Sequence, residues 1–407
     1  MRTAVIVLGD LGRSPRMQYH AVSLAASGSD VDLVGLEGAP PIPAVAGHSR
    51  IHCHRLGDRA FARRERGGIR RFLLGSALRA SGQAVRLFSL LMRLPKPDVI
   101  LVQNPPAVPT LSIAWLVARV RGARFVIDWH NLSHAIVAVK VGETHRAVKS
   151  LRRSERRWGR RADAHLTVSK ALAQWLSREF GIVATVMYDR PSQAFAPPGA
   201  EAASGLWETL TKNLPAAERI PMVVCPTSWT PDEDFDLLLE GLERAERRLT
   251  GDQPSLAVLL TGRGPMRENF EQRAARRHFK RIIVKTLWLE PADYPTLVGM
   301  ADLGLCLHQS ASGLDLPMKL ADLRGAGVPV ATYDYAPVLG EVMQTGREGV
   351  TFRDPGDLAS LLVTVATRAI PTGSPLAESK AWLARNPPER WDTQWEAAAR
   401  PVLVAQR

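Results

Sequence analysis

A histidine close to an aspartate and an asparagine is a candidate for proton transfer in the 407-residue chain. His130 lies in the segment Asp128-Trp129-His130-Asn131, directly after the apolar stretch 124–128. Such a stretch is typical of a buried strand, and open α/β sheets bind ligands at the carboxyl ends of their strands. An imidazole titrates near neutral pH and can act as a general base. We therefore expect Asp128 and His130 to lie at a catalytic site.

A glycine-containing turn, Gly9-Asp10-Leu11-Gly12-Arg13-Ser14, follows the first apolar stretch, 3–8. Glycines at a strand-to-helix turn let a ligand approach the backbone, and the start of a helix favours an anion. The turn matches neither the dinucleotide-binding pattern nor a P-loop. Ser14 followed by proline is equally typical of an ordinary helix start, so a capping role stays open. Asp10 is a further carboxylate that could accept a proton.

Two segments in the second half could hold a nucleoside diphosphate. Gly262-Arg263-Gly264 ends an apolar stretch and offers a guanidinium that could clamp phosphate, although an ordinary turn explains the glycines equally well. Segment 308–319 places small residues, Asp315 and a helix start together, a plausible anion-binding nest. Asp322 follows on that helix, where its carboxylate could accept two ribose hydroxyls.

The acidic run Asp232-Glu233-Asp234 precedes a predicted helix. Negative charge at a helix start interacts favourably with the helix dipole, so we interpret these residues as structural. An Asp-x-Asp pattern is weak evidence for a metal. The cysteines 53, 225 and 306 match no zinc motif and no disulfide framework. We predict no metal site and no cofactor.

Apolar stretches alternate with helical patterns along the whole chain, which is typical of doubly wound parallel sheets. The predicted strands are 3–8, 31–36, 98–102, 124–128, 164–168, 183–187, 221–225, 256–261, 281–285, 302–307 and 328–332. The predicted helices are 15–27, 69–93, 107–121, 144–161, 169–179, 234–249, 265–277, 292–299 and 317–325.

The polar, proline-containing stretch 189–220 interrupts this alternation. We predict a first domain at 1–188, a linker at 189–220, a second domain at 221–370 and a tail at 371–407. Trp391 and Trp395 lie four residues apart in the tail and should form one apolar stripe. We expect that stripe to pack back toward the first domain.

The net charge of +13 is concentrated in two segments. Residues 50–93 contain eleven arginines against two acidic residues, and residues 145–161 contain eight cations against one glutamate. Arginines recur every seven residues beside an apolar helical face in the first segment. The residues expected to contact a membrane there are Phe72, Arg79, Arg86, Phe88, Leu91 and Arg93, with Leu87 beside them.

Anionic lipid headgroups or phosphorylated substrates suit these basic segments better than nucleic acid does. Aromatic residues do not alternate with the arginines as stacking platforms, and no nucleic-acid-binding motif is present. A solvated arginine-rich surface is the alternative. No stretch reaches the roughly 18 apolar residues of a transmembrane helix.

These segments together resemble the chitobiosyldiphosphodolichol β-mannosyltransferase family. The matching segments, which span nearly the whole chain, are 7–20, 103–106, 127–131, 188–191, 227–230 with 232–235, 288–290 with 293–295, and 312–319. The resemblance implies a GT-B fold, an α/β architecture in which two Rossmann-like domains with parallel sheets face each other across a cleft. It also implies inverting transfer of mannose from GDP-mannose, without a metal, to a polyprenyl-diphosphate-linked chitobiose through a β-1,4 linkage.

The resemblance places Asp322 at the ribose-binding carboxylate, with Arg263 and Lys319 as the cations for the phosphates. The donor-binding set that it implies is Gly262, Arg263, Leu289, Ser312, Gly313, Leu314, Asp315, Lys319 and Asp322. On the acceptor side it implies the loop residues Gly9, Gly12, Arg13 and Ser14. An inverting transfer needs a base, and Asp10 and His130 are preferred over Asp128 because Asp128 should point back into the sheet.

Eukaryotic members of that family begin with a transmembrane helix, which is not found in this sequence. We therefore expect a peripheral protein that binds the cytoplasmic face of a membrane through its basic amphipathic segments. The alternatives are a GT-B enzyme that uses another nucleotide sugar or another lipid-linked or soluble acceptor, and a non-catalytic scaffold that binds sugar nucleotides or lipid.

Overall fold

A computed structural model describes residues 1–57, 69–211, 220–335, 337–369 and 371–404 of the chain, with side chains except at 69–80 and 211. The chain divides into two compact units. The first comprises Met1–Tyr188 together with the tail from Asp392 onward, and the second comprises Asp189–Trp391.

The described part of the first unit is built on a seven-stranded sheet with strand order β3-β2-β1-β4-β5-β6-β7, and every pairing is parallel. The strands are β1 (Arg2–Asp10), β2 (Asp30–Leu36), β3 (Ile51–Leu56), β4 (Val99–Asn104), β5 (Arg124–Trp129), β6 (Ala164–Thr167) and β7 (Thr185–Val186). The helices are α1 (Pro15–Ala26), α2 (Pro43–Ala46), α3 (Ile69–Arg93), α4 (Thr110–Arg121), α5 (Ser133–Val141), α6 (Arg146–Gly159) and α7 (Lys170–Trp175).

The described part of the second unit contains a six-stranded parallel sheet with strand order β10-β9-β8-β11-β12-β13. Its strands are β8 (Met222–Pro226), β9 (Leu256–Thr261), β10 (Ile282–Leu287), β11 (Leu303–Cys306), β12 (Val330–Tyr333) and β13 (Val350–Phe352). Its helices are α8 (Ala200–Thr211), α9 (Phe235–Arg248), α10 (Arg267–Ala275), α11 (Asp293–Gly299), α12 (Met318–Gly325), α13 (Pro355–Ala366) and α14 (Pro375–Arg385).

Both sheets place continuous apolar strands at their centres. β1 and β8 are buried along most or all of their length, as expected for parallel strands covered on both faces. The prediction of two parallel sheets is therefore confirmed. The two strands that were not predicted, β3 and β13, lie at sheet edges. β3 buries only its end residues, so its sequence lacks a continuous apolar stretch, and Cys53 within it is exposed.

Only the part of the predicted tail from Asp392 onward belongs to the first unit, whereas α14 and Trp391 belong to the second. After α14 the tail forms α15 (Trp391–Gln394), a π-helical turn at Trp395–Ala399 and α16 (Arg400–Leu403). Trp391 and Trp395 are both buried, as their spacing predicts. The stretch predicted as a linker contains α8. No helix in the described ranges is both long enough and apolar enough to cross a bilayer.

Candidate active site

Asp128 lies at the end of β5, is completely buried and has three polar side chains around its carboxylate. Arg16 of α1 binds both oxygens, with Nε 2.8 Å from Oδ2 and Nη2 3.0 Å from Oδ1. Nε2 of His20 lies 3.2 Å from Oδ2, and Nε2 of His130 lies 2.9 Å from the same oxygen. The structure thus joins two predicted residues, Asp128 and His130, to Arg16 and His20, for which the sequence predicted no individual role.

Asp128 is ionised in this environment. Burial alone would raise its pKa, but the charge of Arg16 and the hydrogen bonds from both histidines hold the pKa well below its usual value. An ionised carboxylate only accepts hydrogen bonds. Each of the two Nε2 atoms must therefore carry the proton that it donates to Asp128.

In its neutral form, a His130 that donates from Nε2 has an unprotonated Nδ1. Its side chain is 19% exposed, and within the described residues its imidazole makes no hydrogen bond other than the one to Asp128. A neutral imidazole with a free Nδ1 and a carboxylate behind Nε2 can take a proton, because the carboxylate stabilises the imidazolium that results. Asp128 itself is completely buried, whereas His130 is partly exposed, as expected if Asp128 points back into the sheet.

Asp10 is engaged differently. Its carboxylate caps the turn that follows β1, accepting from the backbone N–H of Gly12 at 3.1 Å and of Ala39 at 3.0 Å. Ser14 donates its hydroxyl to the Asp10 carbonyl at 2.9 Å, so its side chain stabilises the turn rather than capping α1. A Cβ atom at Gly12 would overlap the carbonyl of Ala39, which explains the glycine. These contacts favour a structural role for Asp10.

Other predicted residues of this turn lie close by. Gly9 is in β1, and the Arg13 side chain is exposed. Gln18 on α1 donates to the carbonyl of Leu11 at 3.0 Å and accepts from the N–H of Ile42 at 2.8 Å, which connects α1 to the turn.

A second buried network lies beside Asp128. Glu155, the one acidic residue of α6, accepts from the amide of Asn104 at 2.9 Å and from the backbone N–H of Ser133 at 2.6 Å. His134 places Nδ1 2.5 Å from the same carboxylate. Glu155 therefore joins the segments that follow β4 and β5 and stabilises the position of the His130 loop.

In the second unit the acidic run lies at the carboxyl end of β8, and two of its members have cationic partners. His308 lies between two carboxylates, with Nδ1 3.2 Å from Asp232 and Nε2 3.2 Å from Asp315. Burial opposes a charge on His308, but these two carboxylates raise its pKa to about 9. Burial opposes a charge on Asp232, but the hydrogen bonds from His308 and Thr230 together with the charge of His308 lower its pKa to about 2.

Glu233 pairs with Lys319 at the start of α12 and also accepts from the backbone N–H of Ser228 at 2.9 Å. Asp234 caps α9, accepting from the N–H of Leu237 at 2.9 Å. Each member of the acidic run thus has a structural partner. The described residues contain no group of three or more side chains arranged to hold a metal.

The loop 308–317 follows β11 and carries several predicted donor residues. Ser310 donates to Asp315 and accepts from the N–H of Gly313 at 2.9 Å, while Ser312 accepts from the N–H of Leu314 at 3.2 Å. Asp315 is 8% exposed and is held by these serines and by His308. Asp315 therefore organises the loop, and the backbone N–H groups of Ser312, Gly313 and Leu314 are hydrogen-bonded within the loop.

Gly262 and Arg263 follow β9, on the strand next to β8. Gly262 has φ +109°, and a Cβ there would overlap the carbonyl of Thr227, so only glycine fits. The guanidinium of Arg263 lies 3.9 Å from the ring centroid of Trp288, a cation–π contact that orients it. Leu289 follows Trp288 and is half-buried.

Asp322 is half-buried on α12, and its carboxylate makes no hydrogen bond or ion pair among the described residues. Burial and the charge of Asp189 raise its pKa to about 8. An unpartnered carboxylate in such a position is suited to accept hydroxyl groups from a ligand. The predicted donor residues thus all follow the carboxyl ends of β9, β10 and β11, at one edge of this sheet.

The residues predicted to contact a membrane differ in exposure. Arg86 and Arg93 are exposed and Phe88 is half-buried. Leu87 and Leu91 are 0% and 2% exposed, so the prediction that they face a membrane is corrected: they belong to the core. Phe72 and Arg79 lie outside the residues whose side chains are described.

Comparison with known proteins gives consistent results. The family described as Glycosyl transferase 4-like domain matches residues 12–187. The chain is 34% identical to the chitobiosyldiphosphodolichol beta-mannosyltransferase of Mus musculus over 98% of its own length and 88% of the relative's. It is 36% identical to the Yarrowia lipolytica protein of the same name, over 99% and 86%. It is 35% identical to the UDP-glycosyltransferase TURAN of Arabidopsis thaliana, over 99% and 97%.

Among solved structures, Anabaena HepE in complex with UDP-glucose has a TM-score of 0.69 at 14% identity and covers 99% of both chains. WaaG, a glycosyltransferase involved in lipopolysaccharide biosynthesis, has a TM-score of 0.65 at 14% identity and covers 100% of both chains. These likenesses establish the GT-B fold. With relatives above 30% identity along nearly its whole length, the chain is a glycosyltransferase that belongs to the chitobiosyldiphosphodolichol β-mannosyltransferase family.

Proposed function

We propose that this protein transfers mannose from GDP-mannose to the terminal sugar of a chitobiosyl-diphosphate polyprenol and forms a β-1,4 linkage with inversion. The names of the relatives support mannosyl transfer to a chitobiosyl lipid. The observation that carries the chemistry is the pair formed by Asp128 and His130, in which Nδ1 of the imidazole is left as a proton acceptor.

The reaction needs one proton transfer and one displacement. Nδ1 of His130 takes the proton of the acceptor hydroxyl while the hydroxyl oxygen attacks the anomeric carbon of mannose. The new carbon–oxygen bond forms on the face opposite the nucleotide, and the bond to the diphosphate breaks with its electron pair leaving on GDP. Asp128 stabilises the imidazolium that forms. A general base typically contributes about 10²–10⁴-fold in rate.

The second unit would bind the nucleotide part of the donor. Asp322 would accept the two ribose hydroxyls, and Arg263 and Lys319 would stabilise the negative charge that grows on the leaving diphosphate. Asp232, Glu233 and Asp234 are engaged by His308, Lys319 and backbone amides, which supports a reaction that does not use them as metal ligands. Activity should therefore survive EDTA. A complete loss that Mg²⁺ restores would redirect attention to these three carboxylates.

A UDP-sugar donor is the alternative, and one relative is named a UDP-glycosyltransferase. Thermal-shift measurements with GDP, UDP and ADP separate the candidates, because a ligand stabilises the folded protein according to its affinity. We expect the largest shift with GDP. A larger shift with UDP would contradict the assignment of the donor.

We further propose that the first unit binds the cytoplasmic face of an anionic membrane. α4 packs against both α3 and α6, and it exposes Leu116 and Val120 at 40% and 59%. Arg161, two residues after α6, lies over Trp158 of that helix, and Trp158 contacts Trp115 of α4 with ring centroids 5.2 Å apart. Apolar residues beside basic helices suit a surface of anionic headgroups, where each nearby cation contributes about 1 kcal/mol.

The decisive experiment is turnover of GDP-mannose with a chitobiosyl-diphosphate lipid, read by product mass and by digestion with linkage-specific mannosidases. A product one hexose heavier that resists α-mannosidase and yields to β-mannosidase would support the proposal. Turnover with UDP-sugars alone, or with another acceptor alone, would replace it by the corresponding alternative. Nucleotide binding without any transfer would favour a scaffold.

A further inference from the structure

We infer that Trp395, in the C-terminal tail, is a positioning residue for His130: its indole N–H sets the tautomer of His20, and His20 in turn sets the hydrogen bonding of Asp128. This inference rests on the proposed function only in taking His130 as the base. The four residues lie in one unit and form a continuous hydrogen-bonded chain.

The first link joins Trp395 to His20. Nε1 of Trp395 lies 3.1 Å from Nδ1 of His20, and both side chains are buried, at 1% and 0% exposure. An indole N–H can only donate. Nδ1 of His20 must therefore carry a lone pair, and the proton of a neutral His20 must be on Nε2.

The second link joins His20 to Asp128. With its proton on Nε2, His20 donates to Oδ2 of Asp128 across 3.2 Å. The other tautomer would direct a nitrogen lone pair at the carboxylate, which is repulsive in a buried site. The indole therefore selects the tautomer that satisfies Asp128.

The third link is shared. Oδ2 of Asp128 accepts from both His20 and His130, while Arg16 holds both carboxylate oxygens. Loss of the bond from His20 would leave His130 as the only imidazole partner of Oδ2. Both the hydrogen bond between His130 and Asp128 and the negative charge that acts on His130 would then change.

His20 acts through its tautomer rather than through its charge. Burial lowers its pKa; the hydrogen bond and charge of Asp128 oppose this effect, while Arg16 and His130 add to it. Arg16, Asp128 and His130 are the charged and titratable groups that face it. With its pKa lowered, His20 is neutral at neutral pH. The indole N–H at Nδ1 and the carboxylate at Nε2 then both favour the tautomer with the proton on Nε2.

The test is to replace Trp395 by Phe, which keeps an aromatic ring and removes the N–H. The tautomer of His20 is read from ¹⁵N–¹H correlation spectra of the imidazoles, assigned with a His20→Gln variant. In the parent, His20 should show the Nε2–H form. In the Trp395→Phe variant, the Nδ1–H form of His20 should appear beside the Nε2–H form. We expect kcat to fall about tenfold with an unchanged donor KM, since one hydrogen bond in the site is lost.

The acidic limb of the kcat–pH profile should also shift to higher pH in the Trp395→Phe variant. Asp128 then has one hydrogen-bond donor fewer, so its negative charge attracts the proton on His130 more strongly. The matched control is Trp391→Phe, which truncates a second buried tryptophan of the same tail. It should change neither the spectrum of His20 nor the profile. In a His20→Gln background, the Trp395→Phe substitution should lower kcat by a further factor of less than about two, because the indole acts through His20.

The outcomes separate this inference from the proposed function. An Nδ1–H tautomer of His20 in the parent protein, which needs no variant, would overturn the inference. A tautomer that changes in the Trp395→Phe variant while the kcat profile stays the same would overturn it as well. If His130→Ala retained full activity, the proposed base would be wrong, and the spectra would still report on the link between Trp395 and His20.

Discussion

Lys319 pairs with Glu233 across 86 residues of sequence, and this ion pair joins the start of α12 to the segment that follows β8. Glu233 is also held by the backbone N–H groups of Ser228 and Thr230. The ammonium group proposed to stabilise the leaving diphosphate is therefore held in place by a buried carboxylate. The same carboxylate orders the loop beside it.

We expect Lys319→Ala to weaken GDP binding and also to destabilise the second unit by about 3 kcal/mol, because it leaves the buried charge of Glu233 unpaired. Glu233→Gln should retain GDP binding, since it leaves the ammonium group in place. Titration calorimetry with GDP and urea unfolding measure the two effects. Lys285→Ala is a control, because Lys285 bonds the Leu210 carbonyl elsewhere in the same unit. Parental GDP affinity in Lys319→Ala would remove Lys319 from the donor site.

Asp322→Ala should raise the dissociation constant for GDP, because two ribose hydroxyls left unpaired cost about 1–3 kcal/mol. The pKa of Asp322 is about 8, and the ionised form is the better acceptor. GDP affinity should therefore increase as pH rises from 6 to 8, by up to about tenfold per pH unit. An Asp322→Asn variant should lose this dependence. A parental profile in that variant would show that another group controls nucleotide binding.

The general location of the candidate site could be predicted from the sequence because it depends on local patterns. Polar residues directly after apolar strands must lie at the carboxyl edge of a parallel sheet, and the structure places Asp128, His130, Arg263 and Asp315 there. Charge and periodicity predicted α3 and α6. The edge strands β3 and β13 could not be predicted, because exposed or very short strands lack a continuous apolar stretch.

The choice of base could not be made from the sequence, because it depends on distant partners. Asp10 is engaged by the N–H of Ala39, and His130 is oriented through a carboxylate that Arg16 holds 112 residues away. Arg16 and His20 did carry a local signal. They lie four residues apart on α1, beside buried apolar residues, and a buried charge requires a partner. The contact between His20 and Trp395 spans 375 residues and carries no local signal.

His130→Ala should lower kcat by about 10²–10⁴-fold while GDP binding is unchanged, because a general base is lost from the transition state only. Asp10→Asn should mainly reduce stability, since its carboxylate caps a backbone turn, and its kcat should stay within a few-fold of the parent. Rapid-quench turnover with saturating donor and calorimetry with GDP distinguish the two variants. The opposite ranking, a large loss in Asp10→Asn and little change in His130→Ala, would make Asp10 the base.

The two units should respond to pH in opposite directions. Burial lowers the pKa of His165 to about 4, so the first unit loses up to about 3 kcal/mol as pH falls from 6.5 to 4, because only the unfolded chain takes up that proton. The pKa of His308 is raised to about 9, so the second unit is stabilised below pH 6.5 and loses a similar amount as pH rises to 9.

Amide hydrogen exchange read by mass spectrometry can follow the stability of each unit separately. His308→Gln should reduce the alkaline loss in peptides of the second unit and leave the first unit unchanged. The remaining loss should come from Asp322, whose pKa of about 8 also makes the second unit less stable as pH rises toward that value. His165→Gln should reduce the acid loss in the first unit only. These assignments would be contradicted if exchange in the two units changed in parallel with pH, and did so in the parent and in both variants.

Replacement of Arg79, Arg86 and Arg93 by Glu should release the protein from anionic liposomes. Arg86 and Arg93 are exposed on α3, beside the exposed apolar residues of α4. Each cation near an anionic surface contributes about 1 kcal/mol, and reversal of three charges replaces attraction with repulsion. Added salt should weaken binding of the parent, because exposed charges are screened beyond about 8–10 Å.

The matched control reverses three exposed arginines of α9 in the second unit, Arg244, Arg247 and Arg248, and so makes the same change in net charge. Co-sedimentation should be lost only in the α3 variant, and both variants should retain activity on a short-tailed, soluble acceptor. Equal loss in both would mean that net charge alone governs binding. Unchanged co-sedimentation of the α3 variant would make its arginines a solvated surface, and membrane contact would then have to come from the exposed residues of α4 and α6.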